Sequence, residues 1–84
     1  MARVVIYTTR ICVYCRAAKQ LFEKKDIEFE EIDVTTDPHK RAWLVAESGQ
    51  RTVPQIFIDE KSYGGFTDVL ALDQRGELDP LLGF

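Results

Sequence analysis

Val4-Val5-Ile6-Tyr7-Thr8-Thr9-Arg10-Ile11-Cys12-Val13-Tyr14-Cys15 is the stretch whose reading decides the fold. Its first five residues are apolar or β-branched, the composition of a buried strand. Cys12 and Cys15, the chain's 2 cysteines, close it. Beyond them Ala18, Leu21 and Phe22 follow Tyr14 at helical intervals, with Arg16, Lys19, Glu23 and Lys24 on the other side. The pair therefore stands where a first strand gives way to a first helix. Free backbone N–H groups and the helix dipole favour a negative charge there, which is what makes a thiol reactive. In that setting C-x-x-C reads as a dithiol redox motif rather than a structural disulfide.

Working outward, the pattern predicts a strand over residues 3–8 and a helix over 13–25. Ile27 and Phe29 alternate with acidic residues and Ile32-Asp33-Val34 continues, giving a second strand over 28–34. Asp37 is placed to cap a second helix whose first position is Pro38; Ala42, Val45 and Ala46 form its predicted core face and Gly49 its stop. A third strand covers 54–59, with Pro54 tolerated at its start. Glu60-Lys61 turns into a brief fourth strand around Ser62-Tyr63. After Gly64-Gly65 a third helix runs over 67–75 with Val69, Leu70 and Leu72 inward and Gly76 as its end. Asp79-Pro80 begins a last turn that docks Leu81 and Leu82. The order β-α-β-α-β-β-α requires a right-handed parallel crossover first and an antiparallel pair last. The expected fold class is α/β: a mixed four-stranded sheet flanked by helices on both faces.

Composition narrows the function. At 84 residues with 45% hydrophobic content, one domain over 1–84 is expected. A formal charge of −3, from 11 basic and 14 acidic residues, argues against nucleic acid as a partner. Two cysteines cannot supply a secreted disulfide framework. Met1-Ala2-Arg3 leads straight into a strand without a signal-peptide pattern, and no apolar run nears the ~20 residues of a membrane span. A cytoplasmic location with both cysteines as thiols is the expectation, with no membrane partner. Trp43 reads as a packing residue and His39 as exposed; a single histidine with two cysteines does not complete a zinc site.

The chain resembles the glutaredoxin family, within the thioredoxin fold. Four segments carry the likeness: Tyr7-Thr8 leading to Cys12-Val13-Tyr14-Cys15, Arg51-Thr52-Val53-Pro54, Gln55-Ile56-Phe57-Ile58, and Gly64-Gly65-Phe66-Thr67-Asp68. The likeness spans essentially the whole chain. It implies a glutathione-dependent thiol–disulfide oxidoreductase, acting on disulfide-bonded and glutathionylated proteins as a monomer. Cys12, at the solvent edge, is the expected nucleophile and Cys15, one turn in, the resolving thiol. The resemblance implies a cis Val53-Pro54 bond facing the cysteines, with Thr52 and Val53 offering backbone to an extended thiol peptide. It also implies a glutathione site. The N–H groups around Gly65, Phe66 and Thr67 hold a carboxylate, and Asp68 holds the α-ammonium. Arg41 or Arg51 meets the glycyl carboxylate, and Tyr14 flanks the tripeptide.

An ordinary cysteine with a pKa near 8.5 is only a few per cent thiolate at neutral pH. Lowering that value by two units takes about 2.7 kcal/mol. A helix terminus supplies ~0.3–1 kcal/mol, and an exposed Arg10 roughly 0–1 kcal/mol. Hydrogen bonds from backbone N–H to a charged sulfur, of order 1.5–3 kcal/mol, must carry much of the rest.

The sequence departs from the family pattern at three places. Val13 replaces a frequent proline, Thr9 stands where a basic residue is usual with Arg10 as its substitute, and Phe66 occupies a position often filled by a small residue or cysteine. Val13 opens two alternatives. One is a dimer sharing a [2Fe–2S] cluster through Cys12 of each chain and two glutathione thiolates. The other is an electron donor to ribonucleotide reductase, fed by thioredoxin reductase.

Overall fold

The computed structural model describes residues 2–83. Met1 and Phe84, both within the domain expected over 1–84, lie outside them. Strands β1 (Val4–Thr8), β2 (Glu30–Asp33), β3 (Gln55–Ile58) and β4 (Lys61–Ser62) form one four-stranded sheet in the order β2-β1-β3-β4. Helices α1 (Val13–Lys24), α2 (Pro38–Ser48), α3 (Phe66–Gln74) and α4 (Leu78–Leu82) complete the chain. β1 runs parallel to β2 and antiparallel to β3, and β3 is antiparallel to β4.

β1 and β3 are the interior strands, and every residue of both is buried. Side chains alternate across a strand, so each strand feeds two cores. Val4, Ile6, Ile56 and Ile58 pack against Ala18 and Phe22 of α1, Val69 of α3, and Leu78 and Leu82 of α4. Val5, Tyr7 and Phe57 point the other way, against Val34 and Leu44. The edge strand β2 carries exposed Glu30, Glu31 and Asp33, charges that oppose pairing with another chain.

The predicted topology is present, with corrections at the level of faces and ends. α2 turns Leu44, not Ala42, Val45 and Ala46, into the core. Trp43 stacks on Phe57 with ring centroids 5.8 Å apart and tilts against Tyr7 at 5.5 Å. One leucine and one indole bury more apolar area than two alanines and a valine, so they set the rotation of the helix. In α1 the inward stripe is Cys15, Ala18 and Phe22, and Tyr14 is 59% exposed. Adjacent helical residues differ by about 100°, so once Cys15 points inward Tyr14 must point aside. β2 is shorter than the predicted 28–34. α3 begins at Phe66 rather than Thr67, because Gly65 takes the N-cap place. The hairpin turn is Asp59-Glu60, with φ of 51° and 70°, one residue earlier than predicted. Two successive left-handed residues match the twist of the strands that the turn joins. The terminal turn is the helix α4; Leu82 enters the core and Leu81 packs against it as expected, and Leu78 joins them.

Lys25, just past α1, ties that helix to the C-terminal elements. Its Nζ lies 2.7 Å from Asp73 and 2.7 Å from Asp79, with the lysine side chain only 18% exposed. The hydrogen bonds to Asp73 and then Asp79 raise its pKa above the ordinary lysine value. A raised pKa means that the folded state holds the proton more tightly. The contribution is complete below the unfolded value of about 10.4 and is lost as pH climbs through the folded value. Lys25→Met should lower unfolding free energy by about 1.5–3 kcal/mol at neutral pH, read from urea midpoints. The gap from wild type should be flat from pH 7 up to that window and shrink within it; an unchanged midpoint at pH 7 would contradict the assignment.

Candidate active site

Cys12 is the N-cap of α1, in extended backbone conformation at φ −155° and ψ 107°. The N–H of Cys15 donates to its Sγ at 3.1 Å. Capping by sulfur is unusual chemistry for a place that prefers hydroxyl or carboxylate oxygen, and it suits a sulfur bearing negative charge. The first turn of α1 holds no acidic residue that would oppose such a charge. Cys12 is partly exposed and Cys15 is 2% exposed; the two form a disulfide with Cα atoms 5.2 Å apart. Cys12 is thus the cysteine nearer solvent and Cys15 the enclosed one.

The loop that delivers Cys12 is braced from the far end of β2. The N–H of Arg10 donates to Thr35 Oγ1 at 2.9 Å, and the N–H of Thr35 donates to Asp33 Oδ1 at 2.8 Å. The Thr35 hydroxyl and then its N–H hold the Asp33 carboxyl below its ordinary pKa, with Arg10 adding a smaller effect. A second brace runs beneath α1. The buried Thr8 hydroxyl donates to Glu31 at 2.9 Å, and Glu31 pairs with Lys19 at 3.1 Å.

The Val53–Pro54 peptide is cis, as the resemblance implies. The Val53 carbonyl lies 3.7 Å from Cys12 Sγ. Beside this contact an open groove of about 330 Å³ is lined by Tyr14, Thr52, Val53, Pro54, Gly65, Phe66 and Thr67. Seven of the predicted binding residues therefore meet at one surface. The Tyr14 and Phe66 rings lie across it with centroids 6.3 Å apart. Gly65 brings backbone close: a Cβ there would stand 3.3 Å from the Pro54 carbonyl. As the cap of α3, Gly65 offers no side chain, so the first N–H groups of that helix have no side-chain acceptor from their cap.

Three predicted residues lie off this groove. Asp68 turns its Oδ2 back to accept the Gly65 N–H at 3.0 Å and lines an adjoining hollow with Gly64 and Tyr63. Gly64, at φ 87°, passes so close over that carboxylate that any Cβ would collide with it. Arg41, on α2, and Arg51, before Thr52, are exposed and are not among the lining residues.

Gln55 is the residue that sequence reading passed over. It is fully buried, and its Nε2 donates to the Thr52 carbonyl at 2.8 Å and to Gln50 Oε1 at 2.9 Å. Thr52 Oγ1 is 3.4 Å away, while Gln55 Oε1 has no partner. A polar residue between a proline and Ile56-Phe57-Ile58 is the signal that could have found it: a buried strand admits an amide only with partners. Gln55 fixes Thr52, and through it the wall of the groove.

Comparison with known proteins agrees with this geometry. The sequence profile of the family described as Glutaredoxin matches residues 4–63. Glutaredoxin 3 of Escherichia coli K12 is 49% identical over 82 residues, covering 98% of this chain and 99% of the relative. Glutaredoxin of Pseudomonas aeruginosa is 49% identical over 82 residues, with 98% of each chain covered. A buckwheat glutaredoxin–glutathione complex superposes with a TM-score of 0.89 at 31% identity, over 96% of this chain and 76% of that one. The solution structure of a Brucella melitensis glutaredoxin gives a TM-score of 0.87 at 46% identity, over 98% and 89%.

Replacing Gln55 with leucine tests its bracing role. Amide exchange in residues 50–53 should speed by about tenfold, the worth of roughly one hydrogen bond, while the β1–β3 ladder keeps its protection. A uniform loss across the sheet would mean that Gln55 serves only global stability.

Proposed function

The chain belongs to the glutaredoxin family of glutathione-dependent thiol–disulfide oxidoreductases, and on that premise we propose that Cys12 is the nucleophile, Cys15 the resolving thiol and the Tyr14–Thr67 groove the glutathione site. One observation carries the assignment of roles. Cys12 is the partly exposed cysteine of the pair, and its Sγ is the one that accepts the Cys15 N–H at the helix terminus.

With a glutathionylated protein, the Cys12 thiolate attacks the glutathione sulfur. The new bond is Cys12 Sγ to that sulfur, the bond broken is the old disulfide, and the protein thiolate leaves and takes a proton from water. A second glutathione thiolate then attacks the glutathione sulfur held on Cys12, releasing glutathione disulfide and restoring the Cys12 thiolate. With a protein disulfide, Cys12 forms a mixed disulfide with one protein sulfur. The Cys15 thiolate attacks Cys12 Sγ, the substrate leaves as a dithiol, and Cys12–Cys15 is left oxidised. Two glutathione molecules reduce it in sequence. The proximity of Cys15, with Cα atoms 5.2 Å apart, makes this second attack intramolecular.

The groove suits the tripeptide. The backbone of Val53 is open to pair with the glutathione cysteinyl residue, and Tyr14 and Phe66 flank its chain. The N–H groups of Phe66 and Thr67 face a γ-glutamyl carboxylate, the charge that a helix N-terminus favours. Asp68 keeps its Oδ1 for the α-ammonium, since only Oδ2 is engaged by Gly65. Arg51, next to Thr52, and Arg41 are the cations assigned to the glycyl carboxylate. We place this activity in a single-domain, cytoplasmic monomer whose substrates are disulfide-bonded and glutathionylated proteins. Beyond Val13, neither the cluster-sharing dimer nor the thioredoxin-reductase-fed donor gains a supporting observation among the described residues. Among the described residues no helix is long and apolar enough to cross a membrane.

The test is glutathione-dependent reduction of a small glutathione mixed disulfide, coupled to NADPH and glutathione reductase. Cys12→Ser should lower turnover by at least about a thousandfold, because no other nucleophile can replace it. Cys15→Ser should keep turnover within about threefold on this substrate, which needs only one thiol. Equal loss in both variants would overturn the division of roles, and an inactive wild type would overturn the function.

A further inference from the structure

On the side of Cys12 away from the glutathione groove lies a second hollow, of about 360 Å³. Cys12 and Cys15 both line it, Ile11 and Val13 are its apolar part, and Arg10, Arg16 and Lys19 supply its charge. Ile11 is 96% exposed and Val13 82% exposed, the two most exposed large apolar side chains among the described residues. Neither is needed for packing, and both flank the reactive sulfur in the chain. No carboxylate lines the hollow. Lys19 is paired with Glu31, and Asp33 stands close enough to Arg10 to feel its charge. Arg16 has no ion pair among the described residues, although the chain as a whole is acidic at −3.

Building on the function proposed above, we infer that this hollow seats the target-protein segment around the cysteine whose disulfide is broken, and that it selects an apolar side chain beside that cysteine and a carboxylate beyond it. The reactive sulfur lies between the two hollows, so a protein substrate reaching Cys12 must lie over surface that glutathione does not use. Ile11 and Val13 gain from being covered by an apolar neighbour of the target cysteine. Arg16, with Arg10 behind it, attracts an acidic neighbour and repels a basic one, which discriminates against wrong partners as well as favouring right ones.

The test uses synthetic peptides, each joined to glutathione through one cysteine. The cysteine is flanked by Leu or Ser at the near position and by Glu or Lys at the far one. The readout is the ratio of kcat/KM between paired peptides within one protein, so a change in the nucleophilicity of Cys12 cancels. Wild type should favour the Glu peptide over the Lys peptide by about three- to tenfold at low salt. Arg16→Glu should invert that ratio, and Ile11→Ser should reduce the preference for Leu over Ser by about threefold or more. Rescue of the Lys peptide by Arg16→Glu is an outcome that a purely structural role for Arg16 does not produce. Ratios that stay the same in all three proteins, with the small glutathione mixed disulfide turned over normally, would overturn this inference alone. Failure of wild type on that small disulfide would instead overturn the parent reading, and this one with it.

Discussion

A hydrogen bond from the Cys15 N–H to Cys12 Sγ, 3.1 Å long at the start of α1, is the interaction on which the rest of the structure converges. A sulfur anion at a helix terminus requires that the helix begin at that residue, and that the chain before it be held still. β1 meets the second requirement by being buried along its full length between two partner strands. Its last residue, Thr8, is tied through Glu31 to Lys19 on α1, so the strand and the helix on either side of the cysteines share one polar network. The Arg10–Thr35 bond restrains the four-residue link between them. The geometry of one sulfur thus depends on contacts along both flanks of the loop.

The same interior strands also deliver the other half of the site. β3 pairs antiparallel with β1, with Gln55 opposite Tyr7, which brings the cis Val53–Pro54 segment to the same sheet end as Cys12. α3 follows the β3–β4 hairpin and packs on the α1 side, so its N-terminus with Gly65 closes the groove. Two hollows then flank one sulfur: one made largely of backbone and aromatic rings, the other of aliphatic side chains and guanidinium groups. The first suits a small ligand with fixed charges at its ends. The second suits the varied surface of a protein.

Much of this was legible in the sequence because strong local signals agreed with the global pattern. The β-branched run before Cys12, Asp37-Pro38 at the start of α2 and Gly49 at its end each fixed an element by local chemistry. Helix rotation was less legible. Tyr14 and Cys15 both fit an inward stripe, and the choice was made by the sheet, which no local pattern describes. In α2 the competition between Ala42-Val45-Ala46 and Trp43-Leu44 was decided by Phe57 and Tyr7 on distant strands. Seven of the groove residues were legible because the resemblance marks backbone and glycine positions. Asp68, Arg41 and Arg51 depend on where flexible side chains point, and they stand outside the groove lining. Gln55 was hidden by its setting in an apolar strand, since its role is visible only once Thr52 is folded back above it.

The proposed activity requires Cys12 to be held as a thiolate by backbone rather than by a neighbouring cation, and titrating that thiol tests it most directly. The measurement is thiolate ultraviolet absorbance against pH in reduced Cys15→Ser protein, with and without Arg10→Ala. The prediction is a midpoint at least about one unit below the ordinary value near 8.5, moved by Arg10→Ala by less than about one unit. A midpoint at or above 8.5, or one that returns to that value when Arg10 is removed, would contradict it.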